Sequence, residues 1–271
     1  MYQNKIMEQV NEHHKYALKW CEQHNCDIIM TMLVGSQNYK LDNENSDVDT
    51  CSFVLPDIMT FIRGDKITAK EIVLEDESHV VIKDLRDAFN LLRKPSPNSI
   101  EWFLSQYRIF NVFYQDILED YLNNNYSVYR LVHSNFKYMT DAVAGTIRGL
   151  HGRNMTNGKK YAHIIRLMDL INKYYDMKES PLKYLLVSEE NLELAREAKN
   201  NKLSYVTKEF VEQISNAYTN AIALKAKQPL TEAQKHIEQD SQNWINIFQY
   251  DLFKRYLSMH TLTSFNGDKN E

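Results

Sequence analysis

The chain has 271 residues, 43% of them hydrophobic, with only 7 Gly and 5 Pro; this is enough to bury one large core or two small ones, with little material for flexible linkers. A formal net charge of -4 is not that of a protein built only to grip long nucleic acid, and no apolar run approaches membrane-spanning length. Three cysteines without a Cys-x-x-Cys pair argue against a disulfide framework and for a reducing, cytoplasmic setting.

In chain order, Asn4 to Glu22 predicts an amphipathic opening helix whose Glu8, Glu12 and Glu22 make it unlike a secretory leader. Cys21, His24 and Cys26 lack a fourth partner and read as incidental, not as a zinc site. The apolar run Ile28 to Val34 predicts a buried strand, closed by Gly35-Ser36, where glycine lets backbone amides approach a ligand. A second strand is expected from Asp47 to Leu55. Its alternation puts the carboxylates of Asp47 and Asp49 on one face, about 7 Å apart, where both can reach shared ions. Hard oxygen ligands favour Mg²⁺ or Mn²⁺. Cys51 shares that face and reads as a small core residue.

Lys66 to Leu74 and His79 to Lys83 predict two further strands. Asp84 is placed to cap a helix with the apolar stripe Leu85, Ala88, Phe89 and Leu92, which Lys94-Pro95 ends. Asn98 and Glu101 suggest a capped helix carrying Ile100, Phe103, Leu104 and Tyr107 inward. Everything beyond reads helical, in segments 114–123, 129–150, 159–176, 189–199, 207–227 and 231–257. Strands gathered early and helices late predict an α+β protein, with a small mixed sheet in residues 1–94 and a helical region in 95–271.

Charge is unevenly spread. Between Arg130 and Lys173 there are eight Lys/Arg against Asp141 and Asp169, a local +6 that leaves -10 for the rest. Within it, Lys159, His163 and Arg166 recur at i, i+4 and i+7, within about 60° of one helix face. Ile164, Ile165, Met168 and Ile171 take the opposite face, and Leu167 and Leu170 flank the stripe. Such a stripe suits a triphosphate or a short RNA element; the alternative is a solvated basic face with one hydrogen-bonded histidine.

The order strand, Gly35-Ser36, spacer Gln37 to Asn45, then Ser46-Asp47-Val48-Asp49 resembles the signature of the DNA polymerase β nucleotidyltransferase superfamily. Tyr39 and Leu41 extend the resemblance to a branch found in bacteria and phages. So do Lys83 to Phe103, similar to that branch's helix, proline break and Leu-Glu-Trp-type helix, and Gly158 to Leu167, similar to its Lys-x-x-x-His-x-x-Arg-Leu segment. The resemblance spans about residues 28 to 172.

It implies a metal-dependent nucleotidyltransferase that moves an NMP from an NTP, ATP among them, to a hydroxyl of an RNA end (tRNA-like), a protein or a small molecule. Asp47 and Asp49 would be the catalytic metal ligands for Mg²⁺ or Mn²⁺, and Gly35 and Ser36 would hold phosphate oxygens. Lys159, His163 and Arg166 would complete the nucleotide or acceptor site. Where the superfamily carries a third acid, this chain has His79. Either His79 itself, Asp84 from the strand end or Glu77 from the turn would take that part, with Asp84 and His79 ranked first. The non-enzymatic alternative is a nucleotide-binding sensor or interaction protein that keeps the fold with little turnover.

Overall fold

The computed structural model describes residues 2–43 and 46–267. The fold is α+β, with a five-stranded mixed sheet in the N-terminal half followed by helices. β1 (Cys26–Val34) pairs antiparallel with the central strand β2 (Asp49–Pro56), from Cys26 opposite Pro56 to Val34 opposite Asp49, with a bulge between Ile28 and Met30. β4 (His79–Asp84) lies parallel to β2, with Thr50 opposite Val80, and β3 (Lys70–Val73) is its antiparallel hairpin partner at the edge.

The other edge of β1 is covered by β5 (Arg108–Phe110), giving the order β3-β4-β2-β1-β5. This strand falls where only helix was expected. The helix before it, α4 (Pro97–Leu104), stops earlier, so the Tyr107 carbonyl accepts from Leu33 N–H rather than continuing a helix. The open edge of β1 supplies backbone partners that an isolated reading of local propensity does not include. A short helix α2 (Ile58–Arg63), capped by Asp57, also went unforeseen.

Alternation divides β2 cleanly. Its even-numbered residues face α1 (Tyr2–His24): Val54 packs with Ile28, Val80, Ile82, Ala17 and Cys21, while Thr50 and Ser52 join a buried polar set with His13, His14 and Thr31. Burial lowers the pKa of both histidines. The odd-numbered Cys51, Phe53 and Leu55 face the helical half and enter one continuous core with α3 (Leu85–Arg93), α4 and everything downstream.

That half comprises α5 (Gln115–Leu122), α6 (Asn125–Val132), α7 (Phe136–Gly149), α8 (Asn157–Asp176), α9 (Glu189–Lys199), α10 (Lys208–Ala226) and α11 (Glu232–Gly267). The expected single helix 129–150 is broken at His133 to Asn135, because Asn135 takes an extended conformation and caps α7 by accepting from Tyr138 N–H. α11 runs along α6 and α3, burying Phe248, Leu252 and Tyr256, whose hydroxyl donates to the Pro56 carbonyl at the end of β2. Among the described residues no helix is long and apolar enough to cross a membrane.

Candidate functional site

β1 ends in Gly35, whose φ of 96° and ψ of -156° are open only to glycine. Space is not the constraint, since an added Cβ would sit 3.9 Å from its nearest neighbour, Asp49 Oδ2. A short 3-10 turn, Ser36–Tyr39, follows. The Gly35 N–H donates to Glu101 Oε1 at 2.6 Å, and Asn38 Nδ2 donates to the same oxygen at 3.1 Å and to the Leu33 carbonyl at 2.8 Å. The Gly35 amide, expected to meet phosphate, is therefore engaged by Glu101. Gly35 contributes conformation instead, leaving the Ser36 hydroxyl and the first amides of the turn as donors beside the cleft.

Glu101 is the residue that sequence reasoning placed in a helix cap. The cap of α4 is made by Ser96 and Ser99, and Glu101 is buried one turn further on. Burial pushes its carboxyl upward, opposed by the Arg166 charge and by hydrogen bonds from Tyr39, Asn38 and Gly35.

The spacer is tied at both ends. Gln37 Nε2 donates to the Asp47 carbonyl at 2.6 Å, and from α9 Lys199 Nζ donates to the Leu41 carbonyl at 2.6 Å and to Ser46 Oγ at 3.1 Å. Arg196 Nε holds the Lys40 carbonyl at 3.0 Å. These contacts deliver Asp47 and Asp49 to the cleft while Val48 is buried behind them. β2 begins at Asp49 rather than Asp47, so the first carboxylate comes from an extended lead-in and the alternation of the pair survives. The Asp49 carboxyl is raised above its usual range, chiefly by burial and further by the charges of Asp47 and Glu71.

Glu71 was not among the expected acids. It stands on β3 opposite Val81, and both line the cleft with Asp49 and Cys51. Cys51 is a buried thiol on the cleft floor, pushed up to about 12 by burial. His79, at the position of the expected third acid, braces its neighbours: its N–H donates to Asp49 Oδ1 at 3.0 Å and its Nδ1 meets Glu71 Oε1 at 2.8 Å. Glu77 lies in the hairpin turn with φ of 65°, outside the cleft lining.

Asp84 is not brought to the site. It belongs to the opposite face of β4, with Val80 and Ile82, about 16 Å along the strand from His79. Its carboxylate accepts from Ile67 N–H, Arg86 N–H and the Arg86 guanidinium, at 2.6 to 3.0 Å, and it caps α3. Among the described residues no group of three or more His, Cys, Asp or Glu is already gathered closely enough to hold a metal ion.

Across a cleft of about 950 Å³ stands α8, which brings Lys159, His163 and Arg166 to face the turn and the acids. Arg166 is only 5% exposed; its guanidinium carbon lies 3.9 Å from the Tyr39 ring centroid, and its Nε has no hydrogen-bond partner. A basic solvated face does not describe this residue. His163 is held neutral, its pKa lowered to about 3 by burial and by Arg166, Arg153, Lys199 and Lys159 around it. Lys199 and Lys83 also line the cleft and were missed, Lys83 with its amine 4.7 Å from the Trp102 ring centroid. Gly158 permits the close α8–α9 packing that places Lys199, since a Cβ there would lie 2.0 Å from the Ala198 carbonyl oxygen.

A mixed sheet presenting a Gly-Ser turn and an acidic strand to one cleft, closed by a basic helix, defines the class of polymerase β-like nucleotidyltransferases. Within it, the family model described as RNA repair pathway DNA polymerase beta family (RlaP) matches residues 4–244, and the chain belongs to that family. A search of curated proteins finds no match.

Proposed function

We propose that the protein transfers an NMP from an NTP to a hydroxyl acceptor with release of pyrophosphate, residues 1–94 forming the catalytic region and 95–271 completing the nucleotide and acceptor site. The observation that carries this reading is the opposition, in one cleft, of Asp47, Asp49 and Glu71 to Arg166, Lys159 and Lys199. Such a division separates the groups that would hold a divalent ion from those that would hold phosphate.

The donor set fits Mg²⁺ or Mn²⁺: three hard carboxylates whose mutual repulsion and burial already raise Asp49 would be relieved by a cation. When bound there, such an ion supplies neutralisation of the triphosphate and polarisation of the reacting oxygens. Glu71 takes the part of the third carboxylate in this reading, with His79 orienting both Glu71 and Asp49. Ser36 and the turn amides bind phosphate oxygens, Arg166 offers the triphosphate a buried guanidinium whose Nε has no partner, and Lys159 and neutral His163 add donors beside it. The family's description favours an RNA end as the acceptor.

His79, standing where the superfamily carries an acid, favours one competing reading, a nucleotide-binding sensor with little turnover. Incubation with each NTP and Mg²⁺, with and without total RNA, separates them. Metal-dependent pyrophosphate release supports transfer; saturable NTP binding without pyrophosphate supports the sensor.

A further inference from the structure

We propose that the corner where α7 meets α8 is the docking surface for the phosphate backbone of an RNA acceptor, whose end it leads into the cleft; this rests on the nucleotidyl-transfer reading above. Residues 142–168 contain no Asp or Glu and carry Arg148, Arg153, Lys159, Lys160 and Arg166. Along α8, Arg166 sits buried at the inner end and Lys159 is exposed toward the mouth, seven residues or about 10 Å of helix rise apart. The row does not stop at the cleft. Arg153 is exposed on its rim, and Lys160 Nζ reaches the His151 carbonyl at 3.4 Å, which sets this amine against the exposed residues His151 and Gly152 of the connecting turn.

Among the described residues none of Arg153, Lys159, Lys160 and Arg166 forms an ion pair, and the Arg166 Nε is buried without a partner. A triphosphate is a compact anion. Cations outside any salt bridge, strung from the depth of the cleft over its rim, match a polyanion that continues outward, and a protein or small-molecule hydroxyl would leave the outer ones unused. Single-stranded RNA supplies one phosphate per nucleotide along such a path.

The test is retention of a labelled single-stranded RNA dodecamer by the full-length protein over a range of KCl. Lys160→Gln and Arg153→Gln are each expected to weaken binding severalfold and to lower the slope of log affinity on log salt by about 0.7, the share of one phosphate contact on a single strand. Lys160→Gln should leave NTP affinity unchanged. Arg148→Gln is the charge-matched control: Thr146 and Leu150 line the cleft, which puts Arg148 about 160 to 200° round α7 from them, and it should change neither affinity nor slope.

Unchanged slopes in Lys160→Gln and Arg153→Gln, an equal loss in Arg148→Gln, or nucleotide labelling of protein without RNA retention overturns the proposal. If RNA is retained through these cations but no pyrophosphate is ever released, the docking surface stands and the nucleotidyl-transfer reading falls. Pyrophosphate release without RNA retention does the reverse: nucleotidyl transfer stands and the docking surface falls.

Discussion

Glu101 joins the helical half to the turn at Gly35 and Ser36, and replacing it separates two effects. In Glu101→Leu the Gly35 N–H loses the acceptor that lies 2.6 Å away, and the Tyr39 hydroxyl loses a neighbour as well. A buried donor left without a partner costs about 1 to 3 kcal/mol. Part of this is offset because the variant no longer buries a carboxylate, and Asn38 Nδ2 keeps its bond to the Leu33 carbonyl. The net expectation is about 2 kcal/mol of stability lost. Glu101→Gln keeps an oxygen for Gly35 and loses only the charge facing Arg166, so its cost should be under about 1 kcal/mol. Urea unfolding gives the stability difference, and amide hydrogen exchange at Gly35 reports the bond itself. The Leu variant should expose that amide and weaken NTP binding, while Gln restores most of both. A Leu variant with native stability and a protected Gly35 amide would refute the reasoning.

Arg166→Ala should weaken NTP or acceptor engagement by about 1.5 to 3 kcal/mol, the range for hydrogen bonds to a charged group, with Lys at this position rescuing only in part; titration with a non-hydrolysable NTP measures it. Gly158→Ala drives a Cβ against the Ala198 carbonyl at 2.0 Å and Asn201 Oδ1 at 2.6 Å. It should cost about 1 to 3 kcal/mol in urea unfolding and loosen NTP binding through α9 and Lys199. Gly145→Ala meets nothing within 4 Å and should stabilise α7 by roughly 0.5 to 1 kcal/mol. His133 is fully buried, and burial lowers its pKa from 6.5 to about 4. The unfolded chain therefore takes up the proton first. This histidine's contribution is intact above pH 6.5 and declines by up to about 3 kcal/mol as pH falls to 4, a slope that His133→Gln should flatten in pH-dependent unfolding.

The parts of the site legible in the sequence are those whose geometry is local. Strand, glycine turn and alternating acids lie within one short segment, so the placing of Ser36, Asp47 and Asp49 follows from period-2 alternation and turn chemistry alone. The stripe of Lys159, His163 and Arg166 follows equally from helical period. What was not legible depends on pairing between distant segments. Glu71 reads as one more polar residue of an exposed edge strand until the register sets it opposite Val81. Glu101 reads as helix capping until α4 docks on the turn, and Lys199 lies in a region where no motif pointed to the cleft. Asp84 misled for the opposite reason, since its helix-capping role was readable and only the strand parity shows that it faces away.

The most direct measurement uses an NTP labelled at the α-phosphorus, Mg²⁺ and a pool of RNA, comparing the wild-type protein with Asp49→Asn. Removing one of the mutually repelling charges near Asp47 and Glu71 should leave the metal-free fold as stable as the wild type, or slightly more so. The label should pass to an acceptor with the wild-type protein and fail to do so with the folded Asp49→Asn variant. Equal transfer by both, or none by either in the presence of every NTP, would contradict the assignment of this cleft to nucleotidyl transfer.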